Sequence, residues 1–167
     1  MVLLDDDLRP VASASKDAVH GQDTPLHLAF SCYLQDADGR LLMTRRSLTK
    51  TAWPGVWTNS CCGHPAPGEP LEAAVRRRVR QELGLSLSQL RLVLPDFRYR
   101  AVDAGGVVEN EVCPVFVAVA DGPPEADPAE VMAWRWADWS AVSATARATP
   151  WLLSPWSVLQ LAQLPCP

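Results

Sequence analysis

Residues 59–85 read NSCCGHPAPGEPLEAAVRRRVRQELGL, and this stretch decides the fold. Within it Leu71, Ala74, Val75, Val79 and Leu83 recur at helical spacing, which predicts a helix over Glu69–Leu83 with one apolar face. Gly84 stands where a left-handed glycine would close that helix. Just before it come a thiol, Cys62, and an imidazole, His64, and near its end a carboxylate, Glu82. One short strand-turn-helix unit bearing those three groups holds more reactive chemistry than a fold needs. It points to an enzyme.

Working outward, Leu26–Leu34 is rich in strand formers, and Asp36–Gly39 supplies turn chemistry before a second strand, Arg40–Thr44, so a hairpin is expected. Trp53–Trp57 is a loop pinned by Pro54 and Gly55. Further strand-like runs lie at Leu90–Leu94, Phe97–Val102, Val112–Ala120 and Val131–Trp136. Ser154-Pro155 pairs an N-cap residue with proline at the first helical position, starting a terminal helix to about Leu164. Residues 1–24 are polar, acidic and aperiodic, and are expected as an extended arm that contributes to the site, with 25–167 as the catalytic domain. The order of elements gives an α/β fold: a mixed sheet sandwiched by helices, in a single domain.

At 167 residues and 48% hydrophobic, the chain is long enough to bury a full core. Its net charge of −4 argues against a nucleic-acid partner, which would call for clustered Lys and Arg. The apolar run at Met1–Leu4 is too short for a signal peptide, and no segment reaches the roughly 20 apolar residues of a membrane helix. Five cysteines without a C-x-x-C pair support neither a disulfide framework nor a cysteine-rich zinc site, and fit a reducing cytoplasm. A monomer is expected, with a dimer as the alternative.

The chain holds three histidines, His20, His27 and His64, while Glu109 and Glu111 sit two apart on one face of an extended segment. Three imidazoles and two carboxylates would make a nitrogen–oxygen shell suited to Mn2+, Mg2+ or Zn2+. The stretch from Gly63 to Leu85 resembles the Nudix box, G-x5-E-x7-R-E-U-x-E-E-x-G-U, in which U is a bulky aliphatic residue. Gly63, Glu69, Arg77, Val79, Glu82, Gly84 and Leu85 match in register, but Arg78 and Gln81 replace two of the helix glutamates. In a Nudix hydrolase those glutamates gather the metals that activate water, so their loss should cripple hydrolysis while the fold persists.

The departures, together with Ala52–Ser60, Cys62–Pro65, Pro95–Ala101, Glu109–Phe116 and Ser154–Trp156, resemble the type I isopentenyl diphosphate isomerases over about residues 16–160. The resemblance implies one divalent metal (Mn2+, Mg2+ or Zn2+) on His20, His27, His64, Glu109 and Glu111. It implies a second, Mg2+, bridging Glu82 and the substrate diphosphate with help from the Cys62 carbonyl; no flavin or nucleotide is expected. It makes Cys62 and Glu111 the acid–base pair, Tyr99 a hydrogen-bond partner of that glutamate, and Trp156 a face over the hydrocarbon. Moving the double bond needs a proton added at one carbon and removed at another, with a tertiary cation between. A carboxyl is the stronger acid, so Glu111 is expected to give the proton and Cys62 to accept the other. A metal-bound carboxylate is ordinarily ionised, which leaves Tyr99 or a bound water as a relay. Arg46, Lys50, Arg78 and, on the arm, Lys16 are the candidates for the diphosphate. Cys61 should point away from Cys62 on an extended strand, and Cys32 and Cys113 belong to the core. The competing readings are a Nudix-type diphosphate hydrolase and a non-catalytic binding module in which Cys62 is structural.

Overall fold

The computed structural model describes residues 1–15, 19 and 21–164. Its strands are β1 (Val2–Leu4), β2 (Pro10–Ser13), β3 (His27–Leu28), β4 (Phe30–Gln35), β5 (Leu41–Arg46), β6 (Trp57–Thr58), β7 (Cys61–Gly63), β8 (Ser86–Leu94), β9 (Arg98–Val102), β10 (Val108–Val112), β11 (Val115–Asp121) and β12 (Val131–Ala137). The helices are α1 (Leu71–Leu83), α2 (Trp139–Ala148) and α3 (Pro155–Leu161), with a 3-10 turn at Pro150–Leu152. No helix among the described residues is long and apolar enough to cross a membrane.

The strands form two mixed sheets, β2-β1-β3-β10-β9 and β12-β5-β4-β11-β8, with β6 and β7 paired to β5 and β4. The expected strand Leu26–Leu34 is therefore two strands, broken at Ala29, and the expected strand Val112–Ala120 is likewise broken at Cys113-Pro114. The two breaks are coupled. β3 runs parallel to β10, β4 runs parallel to β11, and the joints are bonded through Ala29 N to Val112 O and Ser31 N to Pro114 O. Pro114 has no N–H to offer a ladder, so the pair leaves one sheet there and enters the other.

Side-chain alternation explains the layers. Phe30, Cys32 and Leu34 of β4 pack with Cys61, Phe116 and Ala118 against Ala74, Val75, Val79 and Leu83 of α1. Tyr33, Leu41, Met43, Val115 and Val117 face the other way, onto Trp139, Val142 and Ala146 of α2 and Trp156 and Leu161 of α3. Helices thus cover both faces of the larger sheet, as the sequence pattern implies. Each fully buried Val or Leu on α1 contributes about 1.5–3 kcal/mol relative to exposure.

Two elements differ from expectation. The N-terminal segment is a hairpin in which Val2 and Leu4 pack on Leu26 and Val112, and the acidic run supplies its turn, Asp5 Oδ1 accepting from Arg9 N at 2.8 Å. The helix α2 shows no clear apolar stripe in the sequence, because alanine occupies exposed and buried positions alike, yet Trp139, Val142 and Ala146 reach the core. By contrast α1 ends at Gly84 with φ 67°, as the sequence predicts, and starts two residues late, after Pro70. A Cβ on Gly84 would lie 2.9 Å from Glu125 Cβ and 3.1 Å from Glu125 O. Gly84→Ala should therefore cost about 1–3 kcal/mol through strain and crowding together, read as a lowered midpoint in urea denaturation. An unchanged midpoint would remove this account of the helix stop.

Candidate active site

The sheet crossing brings the candidate residues together. Glu111 on β10 is the register partner of His27 on β3 and, on its other side, of Tyr99 on β9. His64 follows β7, two residues after Cys62, and its Nε2 lies 3.1 Å from Glu111 Oε1. Nε2 of the fully buried His27 lies 3.4 Å from the same oxygen, while its Nδ1 is 2.9 Å from the Pro25 carbonyl. That carbonyl can only accept, so Nδ1 carries a proton and Nε2 is the nitrogen turned toward Glu111. The ligand atoms of His27, His64 and Glu111 all lie within 4.8 Å of one another and could hold a divalent cation. Glu109, also buried, lines the same cavity outside that group. His20 and Lys16 lie outside the described residues.

Cys62, His64, Tyr99, Glu109, Glu111 and Trp156 line a cavity of about 480 Å³, with Arg46, Lys50, Arg77, Arg78 and Glu130 on the same wall. That volume suits a small ligand. Cys62 Sγ is 3.1 Å from Asn59 Oδ1 and 3.4 Å from Ser31 Oγ. Burial pushes its thiol up to about 11, against the pull of the Ser31 hydrogen bond. Burial also works to raise Glu111, but hydrogen bonds and charge from His27 and His64 outweigh it and hold this carboxyl well below the usual range. These shifts leave a thiol on Cys62 and a carboxylate on Glu111. Burial, then the Glu111 and Glu109 carboxylates, push the Tyr99 phenol up, so it stays protonated. Trp156 is 2% exposed, with Tyr99 5.7 Å and Trp53 5.9 Å away between ring centroids and the Arg46 guanidinium 5.8 Å from its ring.

The cations expected at the diphosphate are on the wall, but they already have partners. Arg46 donates to the Ala52 and Trp53 carbonyls, Lys50 is paired with Glu130, and Arg78 is paired with both Glu130 and Glu82. Glu82 is buried behind that ion pair rather than on the cavity wall. The box residues Glu69 and Arg77 serve as a brace. Arg77 donates to Glu69 at 2.8 Å and to the His64 carbonyl at 3.2 Å, and Glu69 accepts from Ala66 N at 2.8 Å, so the loop bearing His64 is tied to α1. Cys61 points into the α1 side of the core, away from Cys62, and Cys32 and Cys113 are buried.

Sequence reasoning missed Asn59, Ser31, Gln160 and Glu130. Gln160 had a signal: it lies four residues after Trp156, a polar group on the buried face of α3. Glu130 had none, since an acidic residue at the end of a proline-rich loop reads as surface.

A family model described as NUDIX domain matches residues 25–156. An isopentenyl-diphosphate Delta-isomerase of Frankia alni is 65% identical, covering 96% of this chain and 83% of its own. Those of Clavibacter michiganensis subsp. michiganensis and Salmonella heidelberg are 57% and 53% identical, covering 98% and 96% of this chain and 84% and 88% of theirs. The chain belongs to the isopentenyl-diphosphate Delta-isomerases of the NUDIX family. The fold of this isomerase family member agrees with solved structures. The DR0079 protein of Deinococcus radiodurans superposes with a TM-score of 0.73 over 99% of this chain and 97% of its own at 20% identity. A MutT NUDIX hydrolase of Burkholderia pseudomallei gives a TM-score of 0.61 over 84% and 98% at 26% identity.

The brace makes a pH prediction. The Arg77 hydrogen bond lowers the Glu69 carboxyl to about 2, so its stabilisation is present above the unfolded value near 4.5 and is lost as pH falls toward 2. Because the pair is partly exposed, Glu69→Gln should cost only about 0.5–1 kcal/mol at pH 7, with the gap to wild type closing between those two pH values in denaturation midpoints. A gap independent of pH would contradict the ion pair.

Proposed function

We propose that this enzyme interconverts isopentenyl diphosphate and dimethylallyl diphosphate, for isoprenoid biosynthesis, by protonation and deprotonation. The observation that supports this most is the enclosure, in one cavity, of a protonated thiol, an ionised carboxylate and an indole face. A hydrolase has no use for the thiol, and the Nudix-type hydrolase reading also lacks the glutamates that Arg78 and Gln81 replace.

The terminal alkene carbon takes up a proton, giving a tertiary cation, and loss of a proton from the carbon two bonds away restores a double bond at the internal position. Cys62 and Glu111 are the pair that exchanges these protons. With the resting states above, Cys62 is the donor and Glu111 the acceptor in one direction, and microscopic reversibility exchanges their roles in the other. A thiol is a weak acid toward an alkene, so the cation must be stabilised by its surroundings. Trp156 supplies that, a desolvated cation over indole gaining roughly 2 kcal/mol or more. Tyr99, packed on Trp156 beside Glu111, adds an aromatic ring to the cavity wall and so takes space from water, which would otherwise capture the cation.

Arg46, Lys50 and Arg78 bind the diphosphate, its oxygens replacing the carbonyl and carboxylate partners they hold in the free protein. The imidazole–carboxylate donor set of His27, His64 and Glu111, with Glu109 and His20 as further ligands, suits Mn2+, Mg2+ or Zn2+. Such an ion, when bound, supplies fixed positive charge and Lewis acidity beside the cavity. Glu82 does not fit a second metal while Arg78 neutralises it; Mg2+ there, with the Cys62 carbonyl, requires Arg78 to turn toward the diphosphate. The four described cysteines are free thiols, which suits a reducing cytoplasm.

The test is turnover of isopentenyl diphosphate with Mg2+ in deuterated water. Dimethylallyl diphosphate should appear with deuterium in a methyl group, and Cys62→Ala should lose about 10²–10⁴-fold in rate with fold retained. Unlabelled product, phosphate release, or undiminished activity of Cys62→Ala would contradict the proposal.

A further inference from the structure

Asn59 lies between β6 and β7, is fully buried, and does not line the cavity, yet both reactive faces of the site are bonded to it. We infer that Asn59 is a positioning residue for the proposed isomerisation, a single locked carboxamide whose Oδ1 fixes the Cys62 thiol and the Trp156 indole relative to each other. The inference rests on the roles given above to those two residues.

The orientation of the amide follows from chemistry alone. Trp156 Nε1–H can only donate, and it lies 2.9 Å from Oδ1. Nδ2 donates to the carbonyls of Cys32 at 3.2 Å and Cys61 at 2.9 Å. Turning the amide over would set N–H against N–H on one side and oxygen against two carbonyl oxygens on the other, so three contacts agree on one orientation. With Oδ1 placed in this way, Cys62 Sγ at 3.1 Å meets an acceptor. The hydroxyls of Thr58 and Ser157 also approach Oδ1, at 2.8 and 3.3 Å, but these can turn to one another or to Ser154. The indole N–H has no such alternative.

The consequence is a tie between segments almost one hundred residues apart. Trp156 rides on α3, whose Ser157 Oγ accepts from Asn59 N at 3.0 Å, whereas Cys62 rides on β7. A second arm from the same helix reaches the sulfur from its other side: Tyr33 Oη donates to Gln160 Oε1 at 3.0 Å, Gln160 Nε2 donates to Ser31 Oγ at 2.9 Å, and Ser31 Oγ is 3.4 Å from Cys62 Sγ. Without Oδ1 the cysteine side chain regains its other staggered rotamers, and the indole loses the bond that sets its tilt. Proton transfer tolerates little of this, a displacement of about 1 Å costing about 10²-fold.

Two measurements separate this from a merely structural role. In Asn59→Leu, kcat should fall about 10–100-fold while KM stays near wild type, because Asn59 touches none of the proposed diphosphate cations. A changed KM with unchanged kcat, or full activity of Asn59→Leu, would overturn the inference. The second measurement needs neither turnover nor an Asn59 variant. The S–H stretching band of Cys62, isolated as a Raman difference between wild type and Cys62→Ser, should move to lower frequency in the Trp156→Phe background, because Oδ1 is relieved of one donor and binds the thiol more strongly. An unmoved band would overturn the shared acceptor. A wild-type protein inactive on isopentenyl diphosphate would sink the proposed function, while the Raman shift would still decide whether Asn59 couples the two side chains.

Discussion

Taking the Glu111 carboxylate out of water costs several kcal/mol unless partners replace its hydration. Here the partners are two imidazoles, one from the strand beside it and one from the loop after Cys62. Satisfying that buried charge imposes the rest of the arrangement. β3 must run parallel to β10 so that His27 lies opposite Glu111, and β7 must end close enough for His64 to reach the same oxygen. Once His64 is placed, Cys62, two residues earlier on the same strand face, is turned toward the cavity, and Cys61 toward the core. The Cys62 thiol and the Glu111 carboxylate come to line one cavity through a histidine, not through any direct bond.

The same scaffold explains how a helix pattern associated with hydrolysis can serve another reaction. Glu69 and Arg77 keep a mechanical task, holding the His64 loop against α1. Arg78 stands where an acid would gather metal and instead cancels Glu82. The group that could hold a metal lies off the helix, on β3, β10 and the loop after β7, and Trp156 of α3 lines the same cavity. Fold is retained while the reactive groups are replaced.

Much of this was legible before any coordinates. Helix α1 and its Gly84 stop follow from apolar spacing and a left-handed cap, and the N-cap at Ser154 is seen as its side chain accepting from Ser157 N. Cys62, His64, Tyr99, Glu109, Glu111 and Trp156 could be named because they sit in motifs of a known family, and they share one cavity. The breaks at Ala29 and Cys113-Pro114 were not legible, because a strand that changes sheets keeps its apolar, β-branched composition throughout. Nor was the widening of the gap in acidity between Cys62 and Glu111, which depends on burial and on imidazoles brought in from distant segments. Asn59 was hidden for a related reason: its importance lies in four donors that converge only in three dimensions.

His27, His64 and Glu111 are placed so that they could hold a cation beside the Cys62 thiol. Anomalous diffraction at the manganese edge, from crystals grown with Mn2+, tests it most directly. A peak bonded to all three residues is expected; manganese bound elsewhere, with both imidazoles still facing an uncoordinated Glu111, would contradict this reading.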